Sequence, residues 1–166
     1  MNKLFVVLLC IVLVSCGPQG VKQEEKKPVA KYTIEQFYEN LSVYGGSFSH
    51  DESKLLVTSN ETGIYNLFAI PVDGSEKSQL TSSEDESIFA ITYFPEDNRI
   101  LYSSDKGGNE IDHIYLLNED GSIEDLTPEE EAKSNFYGWA RDKQSLFYVS
   151  NKRNPQFFDL YEMEIN

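Results

Sequence analysis

Few side chains in this sequence could do chemistry, and their spacing limits what that chemistry could be. Only two imidazoles are present, His50 in Phe48-Ser49-His50-Asp51 and His113 in His113-Ile114-Tyr115. Serine and aspartate are plentiful, but no spacing brings a Ser, His and Asp together as a nucleophile, base and orienting acid. The expected set of catalytic residues is therefore none. The densest acidic runs, Glu84-Asp85-Glu86 and Glu129-Glu130-Glu131, read as solvated faces. Thr127-Pro128 ahead of the second run has the form of a helix N-cap and first helical residue, with Glu130 completing a capping box. A calcium loop would need ligands at alternate positions over about a dozen residues, which the Asp-rich turns lack. No metal and no cofactor are implied.

Both thiols, Cys10 and Cys16, lie in the first 16 residues, which leaves no disulfide framework and no cysteine zinc site in the body of the chain. Lys3 is followed by an unbroken apolar run of 11 residues, Leu4 to Val14. That is signal-peptide length, well short of the roughly 20 residues that span a bilayer. Leu13-Val14-Ser15-Cys16 resembles the lipobox of bacterial lipoproteins, which implies cleavage before Cys16 and acylation of its thiol and new amino group. Cys10, inside the run, is apolar filler. Two or three acyl chains would anchor the product stably where one would not. The expected location is thus the cell envelope, on the far side of the inner membrane, with the lipid anchor as the contact to membrane.

Elements able to position anything begin later. Residues 16–31 are poor in apolar side chains and mix Lys with Glu, the composition of a flexible tether. Residues 32–41 place Ile34, Phe37, Tyr38 and Leu41 at helical spacing behind a Thr33/Gln36 capping box, so one short amphipathic helix is expected to dock on the strands C-terminal to it. Then the sequence repeats. Phe48-Ser49-His50-Asp51 recurs as Phe94-Pro95-Glu96-Asp97 and Trp139-Ala140-Arg141-Asp142, spaced by 46 and 45 residues at the Asp. Asn66-Leu67-Phe68 recurs as His113-Ile114-Tyr115 and Asp159-Leu160-Tyr161, and Leu80-Thr81 as Leu126-Thr127. Asp51, Asp97 and Asp142 fit tight turns in which a short carboxylate accepts backbone N–H groups. Asp73-Gly74 and Asp120-Gly121 are hairpin turns.

Each repeat thus encodes four short strands. Runs such as Leu55-Leu56-Val57 are apolar in succession, as in a sheet covered on both faces. Four strands per roughly 45 residues with both faces buried describes a β-propeller blade; a β-sandwich would need neither the repeat nor the double burial. The expected fold is all-β, a partial propeller with blades over residues 42–86, 87–131 and, incomplete, 132–166. Propellers close with about 4 to 8 blades, so the expectation is the N-terminal part of a longer protein or a truncated product that self-associates. Tight turns fall on one face of the blades. The longer polar loops, including residues 151–155 with Lys152 and Arg153, fall on the other, which is expected to meet a partner. The formal charge of −14, from 14 basic and 28 acidic residues, argues against nucleic acid.

Over residues 32–166, the stretches Tyr32-Thr33-Ile34-Glu35-Gln36-Phe37, Gly45-Gly46-Ser47-Phe48-Ser49, Asn135-Phe136-Tyr137-Gly138-Trp139 and Ser150-Asn151-Lys152-Arg153 resemble the N-terminal propeller of bacterial prolyl oligopeptidase family serine peptidases. The blade motif is shared with TolB-like propellers. The family's aromatic-Ser-Pro-Asp turn is kept in none of the three repeats. The resemblance implies a following α/β-hydrolase domain with a Ser, Asp, His triad, peptide substrates, and a propeller that filters access to the active site. Gly45-Gly46-Ser47-Phe48-Ser49 lacks the second glycine of a Gly-x-Ser-x-Gly elbow, so no catalytic residue carries over. Dipeptidyl peptidases of the family anchor a substrate amino terminus with paired propeller carboxylates, and neither acidic run matches that motif. The alternative is a TolB-like lipoprotein propeller acting as a protein-binding module; a third possibility is an inactive remnant.

Overall fold

The computed structural model describes residues 29–165, so Cys16, the apolar run before it and most of the tether lie outside the described residues. The chain divides into a unit ending at Phe37 and a second unit from Tyr38 onward. In the first, Thr33 N–H donates to Gln36 Oε1 (2.9 Å) and Gln36 N–H to Thr33 Oγ1 (3.4 Å), closing the capping box. The helix it starts, α1 (Ile34–Tyr38), has five residues and buries none of them. This is shorter than the periodicity suggested, and its apolar stripe stays exposed. One turn and a half is below the length at which a helix holds itself in water.

The second unit is three antiparallel sheets, each a meander in chain order. The first contains β1 (Val43–Phe48), β2 (Lys54–Ser59), β3 (Asn66–Pro71) and β4 (Ser78–Gln79). The second contains β5 (Phe89–Tyr93), β6 (Ile100–Ser104), β7 (His113–Leu117) and β8 (Ile123–Asp125). The third has three strands, β9 (Ser134–Trp139), β10 (Ser145–Asn154) and β11 (Phe157–Glu164). The architecture is a partial β-propeller with its third blade incomplete.

Burial follows the apolar runs. On β2, Leu56, Val57, Thr58 and Ser59 are buried in succession, and on β3 so are Asn66, Leu67, Phe68 and Ala69. Two cores lie between sheets. Leu56 and Leu67 of the first sheet pack with Tyr93, Ile100, Tyr102 and Leu117 of the second. One repeat on, Leu101, Ile114 and Leu116 of the second sheet pack with Leu146 and Tyr148 of the third. Fully burying one such leucine is worth about 2–3 kcal/mol. Trp139, partly buried, packs against this second core, edge-on to Phe94 at 4.8 Å and to Phe136 at 5.7 Å.

The repeated polar residues have local duties. Asp51, Asp97 and Asp142 each accept the N–H two residues on, at 3.0, 2.9 and 3.0 Å. Asp73 and Asp120 do the same in the hairpins, where Gly74 and Gly121 supply the positive φ. Thr81 and Thr127 are buried and accept Leu67 N–H and Ile114 N–H through Oγ1, both at 2.9 Å. That use of Thr127 overturns its expected role as a helix cap: residues 129–132 form a turn, closed by Ala132 N–H on Glu129 O at 2.8 Å. The first strand of every sheet carries a bulge. In β1 it is built on Gly45, at φ +91, where a Cβ would also sit 3.5 Å from Ala90 Cβ. The positive φ at the bulge is what calls for glycine there, since the Ala90 distance is ordinary van der Waals contact. Ser47 bridges the leading strands of adjacent sheets, its hydroxyl 3.0 Å from Thr92 Oγ1 and accepting Tyr93 N–H at 3.1 Å.

Candidate functional site

Strand alternation sorts the connections into two faces. The tight turns at residues 49–53, 72–77, 94–99, 118–122 and 140–144 share one face. The other carries residues 60–65, 80–88, 105–112, 126–133 and the β10–β11 turn, so it holds every inter-sheet connection. His50 lies on the first face, exposed in a turn. Nothing nucleophilic is arranged around it.

The second face is tied together by charged side chains. Glu86 accepts Gly107 N–H with both carboxylate oxygens, at 2.9 and 2.8 Å. Lys133 reaches Asp112 Oδ2 at 2.6 Å and donates to the Glu110 carbonyl at 3.0 Å. Lys152 and Arg153 stand on this face too, but not in an open loop. β10 runs through Asn154 and turns on Pro155-Gln156 into β11, with Asn154 Oδ1 accepting Gln156 N–H at 2.9 Å, so both cations sit within the strand, in the irregular stretch between the Ser150–Asp159 and Asn154–Phe157 pairs.

Both are also engaged. Arg153 Nε and Nη2 donate to the two oxygens of Asp159 at 2.6 and 2.9 Å. That fork holds Asp159 below the usual carboxylate range and the guanidinium above its own. Lys152 Nζ donates to the Tyr148 hydroxyl at 2.7 Å and lies 4.2 Å from the Tyr161 ring centroid. Glu129 is 3.8 Å away on the neighbouring connection. The hydrogen bond to Tyr148 raises the Lys152 pKa, with Glu129 adding to it. The two cations, their carboxylates and the two tyrosine rings therefore form one corner of this face. An aromatic group lies further along this face: Tyr44, Tyr65 and Phe89 have ring centroids 5.3 to 6.2 Å apart. Burial, with Tyr65 beside it, pushes Tyr44 up to about 12.

One pairing that the sequence did not disclose is His113 with Asp125. Nδ1 lies 2.8 Å from Asp125 Oδ2, and His113 is 4% exposed. Asp125 Oδ1 also accepts Thr127 N–H at 2.9 Å. Twelve residues separate the partners, and only register unites them: Tyr115 pairs with Asp125 across β7 and β8. The structure brings no serine hydroxyl to this pair by hydrogen bond. Among the described residues no three His, Cys, Asp or Glu side chains are grouped to hold a metal ion, and no helix is long and apolar enough to cross a membrane.

No curated protein matches the chain. Among solved structures, TolB from Acinetobacter baumannii superposes with a TM-score of 0.61 at 13% identity, over 75% of this chain and 30% of that one. A protein designated putative TolB from Agrobacterium tumefaciens gives 0.60 at 19% identity, over 76% of this chain and 47% of that one. At such identities the likeness is one of fold, and the chain spans less than half the length of either. The family described as the dipeptidyl peptidase IV (DPP IV) N-terminal region matches residues 10–157. That match covers most of the sequence, and the chain belongs to the dipeptidyl peptidase IV N-terminal region family.

Proposed function

We propose that this chain is the non-catalytic propeller portion of a membrane-anchored serine peptidase, in which the propeller controls which peptides reach a separate α/β-hydrolase domain. The observation that carries the reading is the family match over residues 10–157. The second face is the side offered to the hydrolase domain, because it holds all inter-sheet connections and the fixed corner of Lys152, Arg153, Tyr148 and Glu129. Charges held in place by neighbouring side chains fix register more than they add affinity. Cys16 supplies the lipid anchor and places the protein in the cell envelope. The TolB-type binding module has only likeness of fold in its favour.

The test uses the native protein precipitated from membranes with an antibody to residues 42–166. A fluorophosphonate probe should label the precipitated polypeptide, and short peptide anilides should be hydrolysed. Charge reversal at Lys152 and Arg153 should then lower kcat/KM on peptides. A polypeptide that takes no probe and cleaves nothing would favour the binding module. Mass spectrometry of the mature N-terminus should find acylated Cys16; an unmodified cysteine, or cleavage elsewhere, rejects the anchor.

A further inference from the structure

The repeat supplies its own control for what His113 does. Its counterpart in the first sheet is Asn66, fully buried, with every polar atom consumed by the fold. Asn66 Nδ2 donates to Thr62 Oγ1 at 3.1 Å and to the Ser83 carbonyl at 3.0 Å, while Oδ1 accepts Thr81 Oγ1–H at 2.9 Å and Ser83 N–H at 2.8 Å. In the second sheet the duty common to both repeats, receiving the next strand N–H, stays with Thr127. The side chain at the Asn66 position has become an imidazole held by Asp125 in place of Gln79. A carboxylate can only accept, so Nδ1 carries a proton, and Nε2 takes no hydrogen bond from the described residues.

The His113 ring lines a cavity of about 220 Å³ together with Lys106, Asn109, Ile111, Tyr115 and Glu130. The first of the two connections bounding it is braced from several sides. Glu86 holds Gly107 N–H, Asp105 Oδ2 accepts Glu110 N–H at 2.7 Å, and Lys133 holds the Glu110 carbonyl. Glu110 is kept at φ +61, a strained conformation for a residue with a side chain. Beneath the imidazole, Tyr115 lies nearly parallel at 6.2 Å, and Tyr102 stacks on Tyr115 at 5.1 Å. The cavity lining thus brings a carboxylate, Glu130, and the His113 imidazole together with one cation, Lys106, and an amide at Asn109. Ile111 supplies the apolar wall.

We propose that this cavity is a binding site for a small zwitterion of the α-amino acid class. The ligand ammonium goes to Glu130 and His113 Nε2, its carboxylate to Lys106 and Asn109, and its side chain to Ile111. A ligand of one charge would leave either Glu130 or Lys106 without a counter-ion in the site. The volume falls below the roughly 300–1,000 Å³ of pockets for drug-sized ligands, which limits the occupant to a few heavy atoms beyond the zwitterion. The assignment does not rest on the peptidase reading, since it uses only this chain's side chains.

The experiment is saturation-transfer NMR on the full chain, kept in mild detergent, with glycine, L-alanine and L-leucine as probes. N-acetyl-alanine and alanine amide serve as analogues of one charge each. At least one free amino acid should give a saturable signal, with both single-charge analogues weaker by about tenfold or more, the loss of one charge-assisted hydrogen bond. Lys106→Met and Glu130→Gln, both at exposed positions, should each cost about the same factor. His113→Asn, which restores the residue used in the first sheet, should also lose binding while its thermal melt stays cooperative. If His113→Asn does not fold, the two surface variants decide the matter. Absence of saturable binding by all three amino acids would overturn the assignment. So would analogues that bind as tightly as alanine, or surface variants that bind as the parent does.

Discussion

Leu67, Ile114 and Leu160 occupy one register position in the three successive sheets and are 0%, 1% and 57% exposed. Leu67 is packed between the first and second sheets, and Ile114 between the second and third. Leu160, paired with Val149, points to the far side of the third sheet. Truncating each to alanine removes similar volumes from three copies of one site that differ only in what lies opposite. Large-to-small changes at fully buried aliphatic positions cost about 2–5 kcal/mol, so Leu67→Ala and Ile114→Ala should each lose about 3 kcal/mol. Leu160→Ala gives up less than half of its transfer term and leaves no enclosed cavity, so it should lose under about 1 kcal/mol. With a urea slope of about 2 kcal/mol/M, the first two midpoints should fall by about 1.5 M and the third by less than about 0.5 M. Equilibrium urea unfolding of the full chain, diluted until the midpoint no longer depends on protein concentration and followed by Trp139 fluorescence, makes the measurement. Equal losses at all three positions would refute the stacked-sheet account, because they would require the third sheet to be covered as the others are.

Three other outcomes rest on the same geometry. Tyr102 and Tyr44 are pushed up to about 12, chiefly by burial, above the roughly pH 10 of an unfolded tyrosine. Their contribution is complete below about pH 10 and lost as pH rises toward 12, so phenolate absorbance should show late-titrating tyrosines coincident with alkaline unfolding; simultaneous ionisation of all ten near pH 10 would contradict this. Asp51, held by the Ser49 and Ser53 hydroxyls, and Asp73 and Asp120, held by Ser75 and Ser122, ionise below the usual range. Their contribution is therefore present above about pH 4 and fades as pH falls, and Asp51→Asn should flatten the acid limb of a stability profile, whereas an unchanged limb would show the turn carboxylates to be idle. Finally, Tyr137, Phe157, Phe158 and Leu160 are all more than half exposed on the third sheet. The chain produced alone should elute as oligomers, and Phe158→Lys with Leu160→Lys should shift it toward monomer; a sharp monomer peak from the parent speaks against an adhesive face.

The strands and turns were legible in the sequence because their causes are local. An apolar run such as Ile100-Leu101-Tyr102 needs cover on both sides, and Asp followed two residues on by a free N–H closes a turn without help from elsewhere. What stayed hidden depended on partners distant along the chain. Thr127-Pro128 has the form of a helix start, yet its hydroxyl is consumed by Ile114 N–H thirteen residues back. Asn151 to Pro155 has loop composition, but the Asn154–Phe157 pair and the Arg153–Asp159 fork carry the strand on to Asn154. The five-residue helix shows the opposite failure: its cap and periodicity were readable, while nothing local fixes how far a helix continues.

His113 illustrates how a repeat can locate function without any motif. Alignment of the three units sets it beside Asn66 and Asp159, and Asp125 beside Gln79, so the departure was present in the letters. Its meaning required the structure, which shows that the Asn66 network satisfies every polar atom it contains, whereas the His113–Asp125 pair leaves one ring nitrogen beyond the needs of folding. Where neighbouring units solve the same packing problem with a closed network, a unit that opens the network toward a cavity has been released from that problem. Buried polar groups cost stability unless they are paired. At His113 that rule is met by Asp125 on Nδ1, while Nε2 is not sealed from solvent and so stays reachable from the cavity.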